Sequence, residues 1–234
     1  MSINPRVGRL GRTTLAGLIA VASVVLVLAF SASQEGHAAS DQRDVHALAA
    51  PATTSHKKAA LHDAMRKLWE DHITWTRLTI ISFAHALPDL PATEDRLLRN
   101  QTAIGNAIKP YYGGAAGNRL TTLLKEHIAG AVALLQAAKA GDQALIERRT
   151  AEWHANGNRI ADFLHEANPV NWPRKAMRRM MRRHLDQTVS EAVNRLQGNY
   201  AADIRDYDRI HHHILLMADT LTSGIIKQFP RRFR

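Results

Sequence analysis

Residues 57–228 carry apolar side chains at steps of three and four, and this spacing constrains the fold more than any other feature of the chain. Such spacing places the apolar residues on one face of an α-helix. No stretch alternates with a period of two for long enough to predict a sheet. Proline and glycine mark the breaks, at Pro91, Gly113-Gly114 and Pro173. We therefore predict six helices, at 57–87, 92–110, 116–139, 142–166, 173–197 and 200–228.

A short pattern centred on a histidine occurs three times in these helices. LWEDHI, LLKEHI and MMRRHL contain His72, His127 and His184. In the helix that follows each copy, a polar residue stands at nearly the same interval, namely Asn100, Asn156 and His211. Repetition of a helix pair indicates tandem duplication. The sequence thus predicts an all-α antiparallel bundle of about six helices, built from three tandem αα-hairpins and preceded by an N-terminal hydrophobic segment.

The six polar residues are expected to form a belt halfway along the bundle. Short connections make successive helices antiparallel, so residues in the middle of each helix lie at a common height. Each of them also stands in an otherwise apolar row, which predicts that its side chain faces inward. A buried imidazole or amide must find a hydrogen-bond partner.

Two interpretations of the belt meet that requirement. In the first, each histidine bonds the asparagine of its own hairpin and the belt is structural. In the second, the histidines converge on one small ligand or transition-metal ion, since neutral imidazole suits zinc, iron, copper or nickel. Asp208 precedes His211 by one helical turn and shares its face. The candidate ligands are His72, His127, His184, His211 and Asp208, supported by Asn100, Asn156 and Tyr207. His212 and His213 are expected at a helix boundary or in solvent.

The amino-acid composition limits the ligands and partners that the chain can have. The chain has no cysteine, which excludes disulfides and thiolate ligands, and its formal net charge is +10, which favours anionic partners. Six basic residues share one face of the helix predicted at 173–197, and they are Arg174, Lys175, Arg178, Arg179, Arg182 and Arg183. An alternative function is therefore a structural or interaction module that contacts anionic lipid or an envelope polymer. A third is a metal-dependent enzyme of unknown substrate, although no nucleophile–base arrangement is visible.

The N-terminus predicts export. Three arginines precede an uncharged apolar run at 13–30, followed by small and polar residues, which is the order of a secretory signal. Residues 1–38 are either cleaved or kept as a membrane anchor through 13–30, and the remainder is extracytoplasmic in both cases. Nucleic acid is therefore not an expected partner. Residues 39–56 are predicted to be a flexible linker, 57–228 the bundle domain and 229–234 a basic tail.

Several longer motifs carry a family resemblance. LWEDHITWTR, NQTAIGNAIKPYYG, NWP, HLDQT and IIKQFPRRF resemble a group of bacterial proteins of unassigned activity that are often exported. Members are sometimes labelled glycosyltransferase or acetylglutamate kinase. The resemblance covers residues 61–233 and implies no established catalytic residues. An all-helical pattern without a dinucleotide fingerprint or a phosphate loop argues against both labels.

Overall fold

The computed structural model describes the backbone of residues 49–234 and the side chains from residue 55 onward. Its elements are α1 (Ala49–Ala84), α2 (Leu90–Ala140), α3 (Gln143–Ala167), α4 (Arg174–Leu196), α5 (Tyr200–Gln228) and a short 3-10 helix (Pro230–Phe233). Residues 49–234 contain no strand, so the all-α prediction is confirmed. None of these helices is long and apolar enough to span a bilayer. The predicted export segment, residues 1–38, lies outside the described residues.

α2 combines two predicted helices and turns back on itself between them. Gly113 interrupts it with φ 85° and ψ 167°, a backbone conformation that favours glycine. A Cβ atom on Gly105 would stand 2.6 Å from the carbonyl oxygen of Gly117. In a straight helix these two residues would be about 18 Å apart. The predicted helices 92–110 and 116–139 are therefore two closely packed arms of α2, and a single residue reverses the chain between them.

The helices close into a ring around one core. α1 packs against α2 and α5, α2 against α3, α3 against α4, and α4 against α5. Every helix therefore has a neighbour on both sides. The centre is filled by fully buried aliphatic side chains such as Ile73, Ile104, Ile160, Ile210 and Ile214. A bundle closed in this way brings together residues that are far apart in the sequence.

Both ends of the bundle differ from the prediction. α1 begins at Ala49, so residues 49–56 of the predicted flexible linker are helical. Pro51 falls in the first turn, where the backbone amides have no partner within the helix. At the other terminus, Phe233 is buried and stacks on Tyr111 with ring centres 5.9 Å apart. The predicted basic tail therefore docks against the bundle through this aromatic contact.

A buried ionic cluster joins α1, α4 and α5. Arg77 donates to Glu191 at 2.8 Å and to Asp203 at 2.7 Å, and both carboxylates are fully buried. Arg195 also contacts Asp203, at 3.3 Å. Burial raises the pKa of Glu191 to about 7, while Arg77 opposes the increase. The apolar spacing did not predict this cluster, because its members are charged residues on three different helices. The available signal was that Glu191 continues the helical stripe of His184.

Candidate functional site: a histidine chamber

Three of the four predicted histidines meet in the core. His72 on α1, His127 on α2 and His184 on α4 are each 3% exposed or less. The ring centre of His184 lies 5.8 Å from that of His72 and 5.9 Å from that of His127. Together they line a cavity of about 30 Å³, which we call the histidine chamber. Three thioethers line the same chamber, from Met65, Met181 and Met217.

One hydrogen bond recurs in all three hairpins. The side-chain amide of Asn100 donates to the carbonyl of Leu68 at 2.9 Å, and that of Asn156 donates to Leu123 at 3.1 Å. Each acceptor stands four residues before the histidine of its hairpin. In the third hairpin, Nε2 of His213 donates to the carbonyl of Met180 at 3.1 Å, again four residues before a histidine. An equivalent hydrogen bond thus precedes each of the three histidines by four residues, and the third donor is His213.

The prediction that His211 faces the core is wrong. Its side chain is 32% exposed and its Nε2 contacts Glu70 Oε1 at 3.2 Å. His213, which was expected in solvent or at a helix boundary, is only 7% exposed. Asp208 lies on the surface, so it does not accompany the chamber histidines. Neither His211 nor Asp208 is placed to serve as a ligand in the chamber.

The error arises from the rotation of α5. Placing His211 inward rotates α5 by about one residue from its observed orientation, in which Ile210 is buried and Ile204 is 53% exposed. The first half of α5 buries Asp203 and Asp206 instead, where arginine and amide partners compensate their charge. Tyr207 is half-buried and its ring lies 4.7 Å from the guanidinium carbon of Arg77. Tyr207 therefore supports the ionic cluster.

Hydrogen bonds fix the tautomer of His127. Because the Asn156 amide nitrogen is engaged with Leu123, its Oδ1 is the atom that accepts from His127 Nδ1, at 3.0 Å. A neutral imidazole with a proton on Nδ1 has a lone pair on Nε2. That Nε2 is buried and has no hydrogen-bond partner among the described residues. Trp153 stacks on the same ring, with centres 4.9 Å apart, and holds its plane.

Hydrogen bonds give His72 the opposite tautomer. The amide nitrogen of Gln101 contacts His72 Nδ1 at 3.1 Å and also donates to the Leu97 carbonyl at 3.0 Å. Nδ1 of His72 therefore accepts, which places the proton on Nε2. Oε1 of Gln101 is buried without a partner in the described part of the chain, as is Nδ1 of His184. Several polar atoms around the chamber thus retain unused hydrogen-bonding or ligating capacity.

All three chamber histidines are neutral at physiological pH. Burial, together with a smaller effect of the nearby His127, lowers the pKa of His72 to about 3. Burial lowers the pKa of His127 to about 4, although its bond to Asn156 opposes the shift. The pKa of His184 is also well below its usual value because of burial and the two neighbouring imidazoles. Among the side chains described, those of residues 55–234, no group of three or more His, Asp or Glu residues is arranged to hold a metal ion.

Comparison with known proteins gives no match. No protein-family model, no curated protein and no solved structure matches this chain. The family resemblance drawn from the motifs therefore stays a prediction.

The predicted basic face is present on α4. Arg174, Lys175, Arg178, Arg179, Arg182 and Arg183 all reach solvent, while Met177, Met181 and His184 point into the core. Arg178 pairs with Asp162 on α3 at 2.6 Å, and this contact lowers the pKa of that carboxyl group. α4 therefore contributes to the chamber on one side and presents a cationic surface on the other.

Proposed function

We propose that this protein binds a single transition-metal ion in the histidine chamber. The observation that carries the proposal is the convergence of three neutral imidazoles, of which His127 offers a buried and unpartnered Nε2 lone pair. Unpartnered polar atoms inside a protein are rare, and each costs about 1–3 kcal/mol unless a ligand or water satisfies it. A bound ion would satisfy these atoms.

The size of the chamber supports an ion over an organic ligand. Its volume of about 30 Å³ accommodates an ion or one to two water molecules. Typical sites for organic ligands are about ten times larger. The small ligand weighed from the sequence is therefore best interpreted as an ion.

Small ring movements would complete the coordination. Imidazoles that share one ion at about 2.0 Å have ring centres roughly 5 to 5.5 Å apart. The observed separations of 5.8 and 5.9 Å exceed that range by less than 1 Å. To bind the ion through Nε2, His72 would also have to carry its proton on Nδ1 instead of on Nε2. Rotation of the Gln101 amide would let its Oε1 accept from Nδ1, at the expense of the hydrogen bonds from its Nε2 to Leu97 and Asn100.

The lining favours copper in its reduced state. Thioether sulfur is a soft ligand that selects Cu(I), and imidazole also suits copper. Met65, Met181 and Met217 line the chamber beside the histidines, and no carboxylate does. We expect the order of affinity to place Cu(I) ahead of Zn²⁺.

The test is metal analysis of the purified full-length protein after exposure to each of the four metals. We expect about one equivalent of copper under reducing conditions, with loss of binding in His184→Ala and retention in His211→Ala. A fold check by circular dichroism accompanies each variant. Failure to retain any metal, or equal retention by the two variants, would reject the chamber as a metal site.

A further inference from the structure

The basic face of α4 carries more charge than its neighbours neutralise. Arg174 and Arg178 both pair with Asp162. The other four basic residues form no ion pair within residues 55–234, and they are Lys175, Arg179, Arg182 and Arg183. Adjacent unpaired cations repel each other, so an anionic partner would stabilise this face.

A groove lies on each side of this face. The smaller, of about 430 Å³, separates α3 from α4 and is lined by Asn158 and by basic residues of α4. The larger, of about 950 Å³, separates α4 from α5. Arg179 and Arg182 line both grooves, so their charges are continuous across the face.

The larger groove has an amphipathic lining. Arg183 and Arg209 contribute further cationic groups, while Met180 and Leu216 supply apolar surface. Asp186 and Asp206 also line it. Asp206 pairs with Arg209 and accepts from Ser190 and Asn194, each at 2.7 Å. Four arginines against two carboxylates leave the groove positive overall.

Apolar side chains protrude beside these cations. Val170 is 86% exposed in the turn that precedes α4, and Leu216 is 48% exposed. The turn is fixed: Asn168 donates to the Gly224 carbonyl at 3.0 Å, and Trp172 is buried against α5. Val170 is thus held out in solvent by a well-packed turn. A cationic face with projecting apolar residues is typical of surfaces that lie on anionic membranes.

We propose that the basic face of α4, together with Val170, rests on an anionic phospholipid bilayer. Lipid phosphates would occupy the two grooves, and Val170 would enter the headgroup region. The predicted apolar segment at 13–30 would bring the protein to a membrane, whether transiently during export or as an anchor. This proposal is independent of the metal proposal, since it uses the outward face of α4.

Single-site fluorescence tests this contact in the full-length chain. Because the protein has no cysteine, Val170→Cys accepts one polarity-sensitive dye. A matched label at Asn106→Cys on α2 reports an exposed position outside both grooves. With vesicles containing phosphatidylglycerol we expect a blue shift at residue 170 and none at residue 106. Neutral phosphatidylcholine vesicles should give neither shift, even if residues 13–30 insert.

Charge reversal tests whether the basic residues are responsible for the fluorescence response to anionic vesicles. In the labelled chain, Arg182→Glu with Arg183→Glu should weaken the response by more than the roughly 25-fold expected from the loss of two basic residues that each contribute about fivefold, because the change also adds two negative charges. The neutral pair Arg182→Gln with Arg183→Gln should give an intermediate loss, and Lys125→Glu with Arg148→Glu should give little change. Equal shifts at residues 170 and 106, insensitivity to Arg182 and Arg183, or a response to soluble polyphosphate but not to vesicles would each overturn the proposal.

Discussion

His213 and His211 differ by two positions and have opposite environments. His213 donates to the Met180 carbonyl and is 7% exposed, whereas His211 contacts Glu70 at the surface. Removing His213 leaves a cavity and removes the hydrogen bond that joins α5 to the Met180 carbonyl of α4. We therefore expect His213→Ala to lower the free energy of unfolding by about 1–3 kcal/mol. His211→Ala should change it by less than about 1 kcal/mol.

Urea denaturation of the two variants measures this difference. Equal losses of stability would contradict the assignment of His213 as the third partner of the repeat. Greater loss in His211→Ala would restore the inward orientation that the sequence first suggested.

The neutral chamber histidines predict a loss of stability in acid. In the unfolded chain His127 has a pKa near 6.5, while burial lowers its pKa in the folded protein to about 4. Between these values the unfolded state binds more protons, so stability falls as the pH decreases from about 6.5 to 4. His127→Gln should reduce the slope of unfolding free energy against pH by up to about 1.4 kcal/mol per pH unit.

Denaturant titrations at a series of pH values from 4.5 to 7 test this expectation. His154→Gln is a suitable control, because that histidine is half-buried on α3 and lies outside the chamber. An unchanged slope in His127→Gln would indicate that His127 is protonated in the folded state, contrary to its place in the chamber.

At the scale of elements, the sharp reversal in α2 depends on close contact between its arms. A methyl group on Gly105 would lie 2.0 Å from Thr121 Oγ1 as well as 2.6 Å from the Gly117 oxygen. Gly105→Ala is therefore expected to destabilise the fold by about 1–3 kcal/mol despite the better helix propensity of alanine. Gly114→Ala is the control, because nothing lies within 4 Å of its added Cβ. Chemical denaturation in which both variants behave alike would contradict the two-armed geometry.

The Arg77 cluster makes a second prediction about elements, since it joins α1 to α4 and α5. Arg77→Met leaves Glu191 without its cation and should cost about 3–5 kcal/mol. Arg66→Met removes a more exposed contact between α1 and Asp219 of α5 and should cost less than about 1 kcal/mol. Thermal unfolding monitored by circular dichroism distinguishes the two. Similar losses would show that the buried cluster contributes little to the docking of α1.

The ends of the helices were predictable from apolar spacing. The orientation of a helix was not predictable where it buries polar residues. Ends of α3, α4 and α5 agree with the sequence to within a residue or two. The rotation of α5 does not follow from its apolar residues, because Asp203 and Asp206 are inside. Their burial depends on Arg77, Arg195 and Asn194 from other helices. Such long-range compensation has no local signal.

For the whole molecule, the repeat predicted that His72, His127 and His184 share one level but not that they converge. Convergence requires α5 to close the ring against α1, which short-range patterns do not specify. Closure then buries the three imidazoles together and lowers their pKa values. The candidate site is therefore a consequence of the complete bundle.

X-ray absorption spectroscopy of the Cu(I)-loaded full-length protein tests the central claim most directly. We predict two or three imidazole nitrogens at about 2.0 Å and a thioether sulfur at about 2.3 Å, with the imidazole signal diminished in His184→Ala. A spectrum with oxygen ligands alone, or one unaffected by His184→Ala, would place the copper elsewhere and contradict the proposed chamber.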